Sequence, residues 1–233
     1  MSDVAVSHAK TSPGAAYALV REELITALCS LDDAGAAMMT PSCPAWSTKD
    51  VVAHLCGLNA EKLAGVQGSL GADEATTRQV ADRASLTLPQ VIDEWQSLAE
   101  PVRGFMAAEP AMAAAFLADL VVHVFDLAEV HAQPTAAAAA ATPLSSQRYV
   151  PLLQTRVADV VDVALEVELT DGATWPAPDG SQADQMSLRA TSHGFLRGAT
   201  GRLTRAQVES LGWSGDPSRI LDNAWNQYGP FRA

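Results

Sequence analysis

Asp119, His123 and Asp126 stand at i, i+4 and i+7 within the run Phe116 to Leu127, and every other residue of that run is apolar. At helical periodicity the three project from one side. A helix apolar around nearly its whole circumference is a buried one. An Asp and a His buried there are costly unless paired, hydrogen-bonded or bound to a cation. A structural Asp–His pair meets that demand, and so does a metal. His54 bears on the choice: Val51 and Leu58 lie on its face at −3 and +4. Alone, His54 reads as a hydrogen-bonded core residue. If its helix faces the other, His54, Asp119 and His123 supply two imidazoles and one carboxylate. That donor set suits Zn²⁺, Fe²⁺ or Ni²⁺ and leaves a position open for water or a substrate sulfur. Helical bundles commonly host such sites.

The elements that must position these residues follow from local signals. Residues 1 to about 11 read as a frayed lead-in. Ser12-Pro13 is a cap followed by proline at the first helical position, opening a helix to about Leu31. Met39 to Trp46 carries two prolines, so it is not helical throughout. Ser47 and Asp50 form a capping-box pattern, with Trp46 and Val51 placed for a hydrophobic staple, and the helix carrying His54 starts there. The helix runs on through Leu63 before Gly65, Gly68 and Gly71 weaken it. Further helices are expected from Thr87 to Ala107 and from Glu109-Pro110 to about Ala132. Gln133 to Ser146, with its alanine run, reads as a linker or surface helix.

Beyond about Val157 the period changes. Val160 to Leu169 is β-branched and alternating, hence a strand, and Met186 to Ala190 is a second. Asp171-Gly172 and Asp179-Gly180 are turn signals. Short helices are expected at His193–Thr200, Ala206–Leu211 and Ser218–Tyr228. The fold class is therefore α+β: a helical bundle over residues 12–146 and a small α/β domain over residues 157–233.

The chain of 233 residues has 48% hydrophobic and 18% charged residues, enough apolar side chain for a packed core. Its net charge of −12 disfavours nucleic acid and anionic membrane as partners. The apolar stretch Ala111 to Phe125, broken by Asp119 and His123, is shorter than the roughly 20 residues of a membrane helix. The N-terminus shows no basic segment followed by an apolar run. Cys29, Cys43 and Cys56 make an odd number without a CxxC pair, as expected of a reducing, cytoplasmic setting. Cys43 and Cys56 are read as buried, inert thiols.

The stretch Pro41 to Leu55, PSCPAWSTKDVVAHL, resembles the helix-2 signature of the mycothiol-dependent maleylpyruvate isomerase family, within the DinB/YfiT-like metalloenzymes. Asp119 to Asp126, DLVVHVFD, is similar to its second signature, an acidic residue four before a histidine and an aspartate three after. Gly198 to Arg202 and Trp213 to Asp216 extend the likeness into the C-terminal region. The resemblance implies a DinB-like four-helix bundle, a divalent metal on His54, Asp119 and His123, and a small α/β domain. It also implies mycothiol or a similar low-molecular-weight thiol as cosubstrate, because a thiol at a metal loses its proton readily. The reaction implied is thiol transfer to, or thiol-assisted isomerisation of, a small-molecule electrophile. The family's acidic ligand is usually Glu, so Asp119 reaches about one methylene less, and Asp126 is the alternative ligand.

Asp126 otherwise orients a ligand or caps a local polar network. Arg202 and Arg197 either hold an anionic group at the bundle or are solvated arginines. Glu61, seven residues after His54, shares its face, with a surface role the alternative. His8, His131 and His193 read as structural or exposed. Two other functions fit the same residues: a bundle of this kind with thiol-independent chemistry in secondary metabolism, and a non-catalytic small-molecule or metal-binding protein.

Overall fold

The computed structural model describes residues 11–69, 71–131, 134–178, 184–225 and 231–232. The expected turn at Asp179-Gly180, the lead-in with His8, Gln133 and the end of the last expected helix lie outside them.

Helix α1 (Pro13–Leu28) starts where Ser12 accepts from the Ala15 amide. After a short turn, α2 (Asp33–Ala36), the proline-rich segment forms a small antiparallel hairpin of β1 (Met39–Thr40) and β2 (Cys43–Ser47). Helix α3 (Thr48–Leu63) then begins on the expected capping box and ends just before Gly65, whose φ of 74° suits only glycine without strain. Helix α4 (Asp73–Ala81) lies in a polar stretch that offers no apolar stripe, and the sequence reading missed it.

The expected helix over 87–107 is two helices, α5 (Leu88–Ser97) and α6 (Ala99–Ala108). Pro101 has no N–H for the Ser97 carbonyl, so a continuous helix would lose a bond there. The break lets α5 bury Leu88, Val91, Ile92 and Trp95 against α3, while α6 turns Val102 and Met106 towards α1 and α7. Helix α7 (Pro110–His131) has a mean hydropathy of 1.8 over its most apolar window. By length and composition alone it could cross a membrane, contrary to the sequence estimate; 61% of that window is buried inside the protein.

Helix α8 (Ala136–Ser146) is not a surface linker. It buries Ala138, Ala141, Thr142, Ser145 and Ser146, small residues that allow close approach to α1 and α7. Helix α9 (Val150–Val161) takes the first residues expected as strand; Asp162, at φ 49°, ends it in the left-handed region. Strand β3 (Val163–Leu169) pairs antiparallel with β4 (Thr174–Trp175) and parallel with β5 (Asp184–Ala190). Helices α10 (Ser192–Ala199) and α11 (Arg205–Glu209) follow, then β6 (Gly212–Trp213) and α12 (Ser218–Asn223). The sheet order is β4-β3-β5-β6.

Two hydrophobic clusters result. One fills the space among α1, α3, α5, α6, α7 and α8. The other joins α9, the sheet, α11 and α12 from Val150 to Trp225. Helix α10 lies between them, with Leu196 in the first and Phe195 in the second.

Candidate metal centre

The capping box holds the first turn of α3: the Asp50 amide donates to Ser47 Oγ at 3.2 Å, and the Ser47 amide to Asp50 Oδ2 at 3.0 Å. Two turns on, His54 is 2% exposed and faces α7. The ring centroids of His54 and His123 are 5.1 Å apart. Asp119, its side chain 33% exposed, lies between them, with Oδ2 at 3.3 Å from His54 Nε2 and Oδ1 at 3.8 Å from His123 Nε2. One donor atom from each of the three residues lies within 4.8 Å of the others. Trp46 is not simply a staple for α3: its indole covers both imidazoles, at centroid distances of 5.1 and 5.9 Å.

The donor atoms fit a cation. Gln79 Oε1 is 2.7 Å from His54 Nδ1, and Gln79 Nε2 donates to Glu61 Oε2 at 2.7 Å. The amide therefore presents its oxygen to His54, so Nδ1 carries the proton and Nε2 presents a lone pair to Asp119. His123 Nδ1 is 3.0 Å from Asp126 Oδ2, a close contact off the hydrogen-bond line. Asp119 Oδ2 is buried without an aligned hydrogen-bond partner. The lone pair of His54 Nε2 thus meets a carboxylate oxygen, and only a proton or a metal ion between them turns repulsion into attraction. Burial works against charge on both partners, yet Asp119 raises the pKa of His54, while His54, His123 and Arg202 lower that of Asp119.

Asp126 is 0% exposed and sits in a different environment. Arg197 Nη1 donates to its Oδ1, and Arg202 Nη2 to its Oδ2 at 3.1 Å. Burial opposes ionisation, but His123, Arg202 and Arg197 outweigh it and hold the carboxyl well below the usual carboxylate range. Cys43, His123 and Asp126 form a second cluster of donor atoms. There the arginines already satisfy Asp126. Arg197 also donates to Glu129 at 2.7 Å and Ser42 at 2.9 Å. Neither arginine is the solvated side chain that the sequence first suggests: Arg197 is buried, and Arg202 has only a small exposed fraction.

Cys43 Sγ lies 3.4 Å from Arg202 Nη2, and burial together with Asp126 pushes its thiol up to about 12. Burial pushes the Cys56 thiol to about 12 as well. His131, half-buried, has Nε2 2.6 Å from Thr48 Oγ1, and His193 is exposed and packs edge-on against Phe125 at 4.6 Å. Glu61 is not a free surface residue: it accepts hydrogen bonds from Arg78 and Gln79. Gln79 itself was not identified from sequence, because its helix carries no apolar period and no motif.

Two cavities meet at the centre. The larger, about 550 Å³, has apolar walls of Leu58, Met112 and Phe116, with Lys62 and Arg148 among its lining residues. The smaller, about 390 Å³, runs past Cys43, Trp46, Thr200 and Arg202. His54, Asp119 and Tyr149 line both.

Residues 17–116 match the family model of the mycothiol maleylpyruvate isomerase N-terminal domain. No curated protein matches the chain. Two crystal structures of mycothiol-dependent maleylpyruvate isomerase, one of them a mutant, superpose with a TM-score of 0.55 at 13% identity, covering 88% of this chain and 92% of theirs. That likeness establishes a shared fold.

Proposed function

We propose, from the match of residues 17–116 to the mycothiol maleylpyruvate isomerase N-terminal domain family model, a metal-dependent thiol transferase or isomerase acting on a small electrophile. The observation that carries the reading is the convergence of His54 Nε2, His123 Nε2 and the Asp119 carboxylate, with donor atoms within 4.8 Å of one another and Asp119 Oδ2 buried without an aligned hydrogen-bond partner. These three residues would hold the metal, Zn²⁺ foremost and Fe²⁺ or Ni²⁺ otherwise. A divalent metal there would lower the pKa of a thiol at its open position, giving the nucleophile for addition to a double bond and, on elimination of the same thiol, its isomerisation.

The chain's own residues do the rest. Trp46 covers the imidazoles and excludes water from one side. Asp126, locked by Arg197 and Arg202, keeps the His123 ring oriented with Nε2 towards Asp119. The two cavities let a thiol of the mycothiol type and its electrophile approach one centre from different sides. Lys62 and Arg148 beside the larger cavity suit an electrophile bearing a carboxylate. Arg202, in the wall of the smaller one, faces an anionic group of the thiol or the electrophile. We assign the enzyme to the cytoplasm, where such thiols are kept reduced.

Elemental analysis of protein purified without chelator tests the reading. One divalent metal per chain is expected, lost in His54→Ala and in His123→Ala, together with turnover of maleylpyruvate that requires mycothiol. Absence of stoichiometric metal from the wild-type protein overturns it. Undiminished turnover in thiol-free solution assigns the bundle to other chemistry, and tight ligand retention without product assigns it to binding alone.

A further inference from the structure

We propose that Gln79 is a positioning residue for His54, seated by a close helix approach that only glycine at position 57 permits; this deepens, and rests on, the reading of His54 as a metal ligand. Gln79 is fully buried and belongs to α4, outside the long helices of the bundle. Its side chain is one link in a directional chain. Arg78 Nε donates to Glu61 Oε1 at 2.7 Å, Gln79 Nε2 donates to Glu61 Oε2 at 2.7 Å, and Gln79 Oε1 is left to accept from His54 Nδ1 at 2.7 Å.

The direction is forced. An ionised carboxylate only accepts, so the amide must turn its NH₂ to Glu61 and its oxygen to the imidazole. With its proton committed to Nδ1, His54 has a single nitrogen, Nε2, left to face Asp119. A side chain that merely filled the space would leave the ring free to rotate or to change tautomer. Metal-ligating histidines depend on such outer partners for orientation and basicity.

Gly57, one turn after His54 on α3, makes the arrangement sterically feasible. A Cβ there would lie 2.6 Å from Gln79 Cβ, 2.8 Å from its Cγ and 2.9 Å from Arg83 Nη1. The first of these neighbours is rigidly attached to the α4 backbone, so any larger residue at 57 pushes α4 away from His54.

Four full-length proteins test the proposal: wild type, Gln79→Met, Gln79→Glu, and the exchange Glu61→Gln with Gln79→Glu. Met keeps the bulk and removes the polarity. Glu at 79 alone sets two carboxylates against each other, whereas the exchange restores a donor at 61 and an acceptor at 79. Zn²⁺ affinity, read by chelator competition, is expected to fall about 10- to 100-fold in both single variants and to recover in the exchange. By NMR, with or without Zn²⁺, the imidazole proton of His54 is expected on Nδ1 and protected from solvent exchange in the wild type and the exchange, and unprotected in Gln79→Met. A protected proton on Nε2 with none on Nδ1 in the wild type overturns the proposal, as does wild-type Zn²⁺ affinity in Gln79→Met, or an exchange that binds no better than Gln79→Glu. If the wild type binds no Zn²⁺, the metal reading fails, while the NMR comparison still decides whether Gln79 positions His54.

Discussion

The two imidazoles of the centre are held by opposite kinds of support. His54 leans on a neutral amide 25 residues away in the chain, within the N-terminal bundle. His123 leans on a buried carboxylate kept charged by His123 itself together with arginines 71 and 76 residues further along. The bundle therefore orients one nitrogen donor with its own residues, whereas the other depends on α10 and the turn after it. A site of this kind is sensitive to local packing on one side and to docking of the C-terminal region on the other.

Removing Asp126 is the most severe way to break the comparison. Asp126→Ala leaves the buried Arg197 with Glu129 as its one remaining charged partner among the described residues and is expected to cost about 3–5 kcal/mol in urea unfolding, the scale for breaking a buried ion pair by removing one partner. Zn²⁺ affinity should fall in parallel. A loss below about 1 kcal/mol would mean that the C-terminal arginines are not integral to the His123 side. Gly57→Ala attacks the other side and should cost about 1–3 kcal/mol, the range for overpacking, while leaving the Asp126 cluster in place. Matching losses of His54 order from both substitutions would blur the distinction.

The cap is a smaller lever. Ser47→Ala removes the bond to the Asp50 amide and should lower stability by about 1 kcal/mol in thermal or urea unfolding. An unchanged midpoint would show that tertiary packing, not the capping box, holds the start of α3. Thiol labelling sharpens the comparison without disturbing it. With the thiols of Cys43 and Cys56 pushed up to about 12, about one part in ten thousand is thiolate at pH 8. Exposed Cys29 should alkylate first, and the other two should stay protected until the chain unfolds. Rapid labelling of Cys43 would show that the contact among β2, Asp126 and Arg202 opens in solution.

Elements with a strong local signature were legible in the sequence. The capping box at Ser47, the long apolar helix carrying Asp119 and His123, and the alternating strand before Leu169 all have physical causes within a few residues. The break at Leu98 and the burial of the alanine-rich helix did not show, because both depend on what the helices pack against. Gln79 was invisible for the same reason: nothing near it in sequence marks a polar residue of a short helix as a partner for His54. The arginines were legible as residues but not as clamps, since an arginine is paired or solvated according to what stands opposite.

By itself the amino-acid sequence showed the candidate donors: two imidazoles and a carboxylate at helical spacings on apolar helices, with a proline-rich turn and a cap to start one of them. Helical periodicity is a property of neighbouring residues, so no distant partner was needed to see it. Only the tertiary structure decided that these donors share one point, which ring nitrogen carries the proton, and which charges stand behind them. Hydrogen-bond direction and charge pairing are properties of groups brought together by folding, and here those groups come from α4, α7 and α10, far apart along the chain.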